Sequence, residues 1–148
     1  MICTFFGHRD TPDSIAPLIK ELLVFLIEKR GISEFLVGNH GNFDSMVYRQ
    51  LAVLADIYPI SYNVVYAYMP TKRNSIPDCA SHSILPDNTE KTPARFAICH
   101  RNKWMLRQAD IVVVYVAYPS SGAARFKEEA LTQHKEVINI YDIETKPL

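Results

Sequence analysis

Residues 35–44, FLVGNHGNFD, carry a short apolar run into a glycine, a polar loop and then the start of an amphipathic helix. A strand that stops at glycine before a helix gathers backbone N–H groups and the positive end of a helix dipole in one place, which suits an anion. Two other stretches have the same grammar. Residues 2–6 stop at Gly7 and open into His8-Arg9-Asp10, and residues 111–116 run into the turn 119–123 ahead of another helix. Three such turns predict a sheet whose strand ends share one pocket.

Working outward, the apolar, aromatic-rich run 2–6 reads as a strand buried on both faces, as parallel sheets require. Ser14 is positioned to cap a helix that tolerates Pro17 in its first turn, with Leu18, Leu22, Phe25, Leu26 and Lys29 at helical spacing and Gly31 as its left-handed terminus. Residues 35–38 form the second strand and 43–57 the second helix, with Met46, Val47, Leu51, Leu54 and Ala55 as its buried stripe and Pro59 beyond it. Residues 62–69, YNVVYAYM, are β-branched and aromatic and predict a third strand. From 71 to 93 the pattern dissolves into Pro, Ser, Asn, Asp and Thr, a loop long enough to act as a lid or an oligomer contact. Periodicity returns in a helix over 96–108, a strand over 111–116, a helix over 124–134 and a last strand over 137–140 before a polar tail. This alternation predicts an α/β domain with a mainly parallel, five-stranded sheet and helices on both faces. Ligands of such sheets sit at the carboxyl ends of the strands, where the winding reverses.

With 148 residues, 48% of them apolar, the chain predicts a single domain over 1–148 with a substantial core. Sixteen Lys and Arg balance sixteen Asp and Glu, so no net field draws it to nucleic acid or to a membrane surface. Cys3, Cys79 and Cys99 lack C-x-x-C spacing, which points to a reducing, cytoplasmic setting. The sequence shows neither a signal-peptide pattern nor a membrane-spanning run. His8, His40, His82, His100 and His134 have no metal-ligand spacing, and no cofactor motif is present: the first turn does not match G-x-G-x-x-G, and no nucleophile elbow occurs.

The candidate ligand-binding residues therefore come from the turns. Gly7 lets the backbone approach a ligand, His8 follows it, and Arg9 offers a bidentate fork for phosphate or carboxylate, unless it pairs with Asp10 or Asp13. In Gly38-Asn39-His40-Gly41, the two glycines permit a tight turn with free N–H groups, and Asp44 either caps the next helix or accepts hydrogen bonds from a ribose. Arg101 and Asn102, with Arg95 upstream, bring cationic side chains toward the same edge, while Trp104 and Met105 suit core packing. Ser120, Ser121 and Gly122 place small residues where a phosphate would meet N–H groups and hydroxyls, although an ordinary serine cap also accounts for Ser121.

Taken together, FFGHRD, VGNHGNFD, YNVVYAYMP, RFAI with RNKWM, and SGAARF before KEVINI resemble the bacterial SLOG superfamily. This is the Rossmann-like group of DprA-type and Lonely Guy-type proteins, and within it the chain is similar to the small YpsA-like proteins. The resemblance spans nearly the whole chain. It implies a three-layer Rossmann-like fold, self-association, and a nucleotide or nucleotide-derived ligand held by the residues above. Lonely Guy members cleave the glycosidic bond of nucleoside monophosphates with a PGGxGTxxE motif. Here YPSSGAARF has Ser121 where a glycine usually sits, Ala123 in place of Thr and Phe126 in place of the catalytic Glu. Glu128 and Glu129 lie about 200° and 300° further round the helix, which leaves Asp44 as the candidate carboxylate for such a reaction. Single-stranded DNA binding of the DprA type is the other activity the resemblance implies, against which the balanced charge argues.

Overall fold

The computed structural model describes residues 1–69 and 83–145. Six parallel strands form its sheet: β1 (Ile2–Gly7), β2 (Glu34–Val37), β3 (Ser61–Val65), β4 (Ser83–Ile84), β5 (Ile111–Tyr115) and β6 (Glu136–Asn139). Their order is β4-β3-β2-β1-β5-β6. The five strands expected from sequence are present, and the sixth is β4, which lies inside the segment read as a featureless loop. Only two residues long, it adds to the edge by pairing Val64 with Ser83 and Val65 with Ile84. Such a short edge strand carries no hydrophobic alternation that a sequence could display.

Side chains alternate between the two faces as the pleat requires. Cys3 and Phe5, Phe35 and Val37, Tyr62 and Val64, and Ile111 and Val113 pack on one face, against helices α1 (Ala16–Arg30) and α2 (Gly41–Ala55) and Ile140 at the start of α5 (Ile140–Thr145). Phe6, Leu36, Val65, Val112 and Val114 pack on the other, against α3 (Ala97–Gln108) and α4 (Gly122–Thr132). β1 and β5 are buried along almost their entire length, so their run of apolar residues reflects a sheet covered on both sides. The one polar side chain inside β1, Thr4, is satisfied by donating to the Leu36 carbonyl at 2.9 Å.

Several boundaries differ from the sequence reading. A single 3-10 turn, Asp13–Ile15, precedes α1, so Ser14 lies inside that turn and Ile15 occupies the N-cap without a side-chain hydrogen bond. The buried stripe of α1 is Ile19, Leu23 and Leu26, whereas Phe25 is exposed. The run LIKELLVFLI holds two overlapping apolar series, and only the sheet chooses between them. Gly31 does end α1 in the left-handed conformation, at φ 67°. Helix α2 begins two residues earlier than expected and stops at Ala55, β3 ends at Val65, α4 begins at Gly122, and the expected polar tail turns into α5. Most of the expected lid or interface segment, residues 70–82, lies outside the described residues.

The chain leaves β1 to the β2 side through α1 and later returns beside β1 with β5. The sheet thus reverses its winding between β1 and β5, which pair in register from Cys3–Ile111 to Gly7–Tyr115. That is where a parallel α/β sheet opens a crevice at its carboxyl edge. No described helix is long and apolar enough to cross a membrane.

Candidate functional site

At that crevice lies a cavity of about 510 Å³, lined by Gly7, His8, Arg9, Asp10, His40, Asp44, Arg101, Asn102, Tyr118, Ser120, Ser121, Gly122 and neighbouring apolar side chains. The three turns singled out in the sequence therefore meet on one rim of the sheet. Their union is held by close backbone approaches. At Gly41, whose φ is 87°, a Cβ would lie 2.5 Å from Arg9 Cα, so only glycine lets the start of α2 touch the loop after β1. The Asn42 amide donates to the Arg9 carbonyl at 2.8 Å, and its side chain donates to Thr11 O and Asp13 Oδ1.

Arg101 is the buried cation of the site. It rises from α3 on one face of the sheet, and Asp44 rises from α2 on the other; the two come together over Gly38. A Cβ at Gly38 would lie 2.6 Å from Arg101 Nη1 and 2.7 Å from Asp44 Oδ2. The guanidinium is fixed by three donated hydrogen bonds: Nε to Asn102 Oδ1 at 2.7 Å, and Nη1 to Val65 O at 3.1 Å and Asn39 Oδ1 at 3.3 Å. Its Nη2 donates to no described residue, and no ion pair within 4 Å engages it or Arg9 among the described residues. Two cations, one buried and one exposed, therefore face the cavity with donor capacity to spare.

Electrostatics sort the remaining titratable groups. The Asp44 carboxyl is buried, which pushes its pKa up to about 6 against the opposing pull of Arg101 and of the His40 amide that donates to it at 3.0 Å. Burial, helped by Arg101 and Arg9, lowers His40 to about 4, and burial also lowers His8. Both imidazoles are thus neutral near pH 7. His8 Nε2 accepts from the Ala117 amide at 2.9 Å, which puts the ring proton on Nδ1. That Nδ1 is buried without a partner among the described residues, as is His40 Nδ1. Tyr118 stacks on the His8 ring at 3.9 Å and 2° from parallel, and its hydroxyl meets Asp10 Oδ1 at 3.3 Å.

The far wall is the start of α4. Ser121 Oγ accepts from the Ala124 amide at 3.0 Å, so its hydroxyl serves as the helix cap and the local reading of Ser121 holds. Gly122 and Ala123, whose amides precede the first helical hydrogen bonds, line the cavity, and a Cβ at Gly122 would meet nothing within 4 Å.

Four residues chosen from the sequence do not line the cavity, among them Arg95, whose guanidinium lies over the Phe96 ring instead. Gly38 lies beneath the Arg101–Asp44 junction, Asn39 supports Arg101, and Gly41 fits against Arg9. Asp44 is not the N-cap of α2, which is His40. Conversely, Phe6, Asp10, Ile98, Met105, Tyr118 and Ala123 line the cavity without having been singled out. Phe6 and Met105 read as core, which they also are; Tyr118 carried a signal, an aromatic two residues beyond a buried strand. Among the described residues, no group of three His, Cys, Asp or Glu could hold a metal ion.

Comparison with protein-family models and with curated proteins finds no match. Among solved structures, the X-ray structure of DNA processing protein A (DprA) from Streptococcus pneumoniae is similar, with a TM-score of 0.70 at 15% sequence identity. The match covers 91% of this chain and 48% of the other, so the chain spans about half the length of that protein. At this identity the likeness concerns architecture: the chain has a Rossmann-like α/β fold shared with DprA.

Proposed function

We propose that this chain binds a nucleotide or nucleotide-derived, phosphate-bearing metabolite at the carboxyl edge of its sheet. The observation that carries the reading is the convergence on one cavity, at the β1–β5 reversal, of the α4 N-terminus, exposed Arg9 and buried Arg101, whose Nη2 donates to no described residue. Backbone amides and the helix dipole favour an anion there, and a guanidinium adds directional, charge-assisted donors. Gly38, Asn39 and Gly41 support these groups from behind. Calorimetric titration with a panel of nucleoside monophosphates, diphosphates and ADP-ribose tests the reading. Saturable heat that Arg9→Ala weakens is expected; no heat and no thermal shift with any member of the panel overturns it.

On this reading the chain is a cytoplasmic member of the SLOG superfamily near the YpsA-like proteins, acting as a self-associating sensor of its ligand. Sedimentation velocity over a concentration series tests the self-association. A second reading, cleavage of a nucleotide N-glycosidic bond, draws on one observation: Asp44 lines the same cavity with its pKa pushed up to about 6, so a protonated carboxyl is available near neutrality. Release of free base from nucleoside monophosphates, lost in Asp44→Asn, would support it; no release from any base would exclude it.

A further inference from the structure

A second cavity, of about 530 Å³, adjoins the first on the other side of the segment joining β5 to α4. Tyr118, Ser120 and Ser121 line both. Either volume alone falls within the range that holds one drug-sized ligand. Two of nearly equal size, separated only by this narrow ridge, suit a molecule with two similar ends.

We propose that the ligand belongs to the dinucleotide class, with its bridging phosphates on the ridge at the start of α4 and one nucleoside in each cavity. The proposal rests on the phosphate-binding reading above and specifies the substance bound. Three features of the ridge carry it. Gly122 and Ala123 line the first cavity directly beside the ridge, with open space over Gly122, and in the same cavity Arg101, 2% exposed, has an Nη2 that donates to no described residue. Bridging phosphates need such donors and no side-chain bulk. Tyr118, which is 43% exposed, is backed on one face by the parallel His8 ring, and His8 lines only the first cavity. Its other face is a held aromatic surface on which a base of the second nucleoside can stack. Lastly, each cavity ends in hydrogen-bonding groups suited to ribose hydroxyls or a base edge: Asp44 and Asn102 in the first, Glu128 and Asp142 in the second.

The test compares diadenosine and diguanosine diphosphates with AMP and GMP by titration calorimetry on the intact chain. One dinucleotide should bind about ten-fold or more tightly than its monophosphate, the contribution of one stacked base, and Tyr118→Ala should bring that ratio close to one. A tyrosine that merely braces His8 would weaken both ligands alike and leave the ratio unchanged, which would overturn the proposal, as would equal affinities in the parent for both bases. Binding of a monophosphate without any gain for its dinucleotide refutes only this inference; no heat from either kind of ligand refutes the phosphate reading as well.

Discussion

Two glycines, Gly38 beneath one wall of the cavity and Gly122 on another, do opposite work. At Gly38 an added Cβ would lie within 2.8 Å of the Arg101 guanidinium and the Asp44 carboxyl, whereas at Gly122 it would meet nothing within 4 Å. The first wall is full: two side chains from opposite faces of the sheet meet over a backbone that cannot carry a third. The second wall is vacant, a bare helix start where the Ser121 hydroxyl is already used as the cap. A vacant wall made of donors is where a ligand supplies the missing atoms, and a full wall is where the protein has already supplied them. Substitutions at the full wall should be read in stability as well as binding, and those at the vacant wall in binding alone.

The largest stability effect is expected from Arg101→Leu. Losing the guanidinium removes a donor from the buried Val65 carbonyl and from the part-buried Asn39 and Asn102 side chains, at a cost of about 3 kcal/mol, measurable by urea denaturation. The pH dependence of stability comes next. Because the folded pKa of Asp44 is raised from 3.8 to about 6, the folded state binds more protons than the unfolded state across that interval. Its contribution is full below the unfolded value and is lost as pH rises to about 6. The parent's stability advantage over Asp44→Asn should therefore shrink by up to about 3 kcal/mol between those limits. His40 acts in the reverse sense: its folded pKa falls from 6.5 to about 4, so its contribution grows as pH rises through the window. The two slopes oppose each other in the parent, and each single variant should uncover the other residue's slope. If Asp44→Asn keeps the parent's profile, the account of the full wall is wrong.

Gly38→Ala should cost less, about 1–2 kcal/mol, since the clash falls on the ends of two side chains that can shift only by lengthening their hydrogen bonds. The smallest stability change belongs to Gly122→Asp. A carboxylate in the first turn of a helix is neutral or favourable to the fold by about 0.3–1 kcal/mol, yet it puts a negative charge where the ligand's phosphate would lie. Unchanged or raised stability with binding weakened about ten-fold or more would sharpen the contrast between the walls. Undiminished binding would erase it.

Much of this architecture was legible because its physics is local. Parallel strands buried on both faces, such as residues 111–115, must be continuously apolar, and Gly31 must accept a left-handed turn; both leave marks in the sequence. The two-residue β4 and the six-residue α5 leave none, since neighbours rather than periodicity hold them. The turns that converge were also visible as glycine after an apolar run, but which residues face the cavity was not. Gly38, Asn39 and Gly41 share that grammar with Gly122, and only the meeting of α2, α3 and the loop after β1 turns them into supports. The burial of Arg101 likewise depends on α3 crossing the sheet above Val65, a contact 36 residues away in sequence.

The central claim is most directly tested by amide chemical shifts of the isotopically labelled chain titrated with a nucleoside monophosphate, AMP and GMP in turn. The account predicts the largest shifts at Gly122 and Ala123, with Arg9 and the Arg101 side chain following at the same ligand concentration. Shifts confined to surfaces away from the β1–β5 crevice, or none at saturating concentrations of either nucleotide, would contradict it.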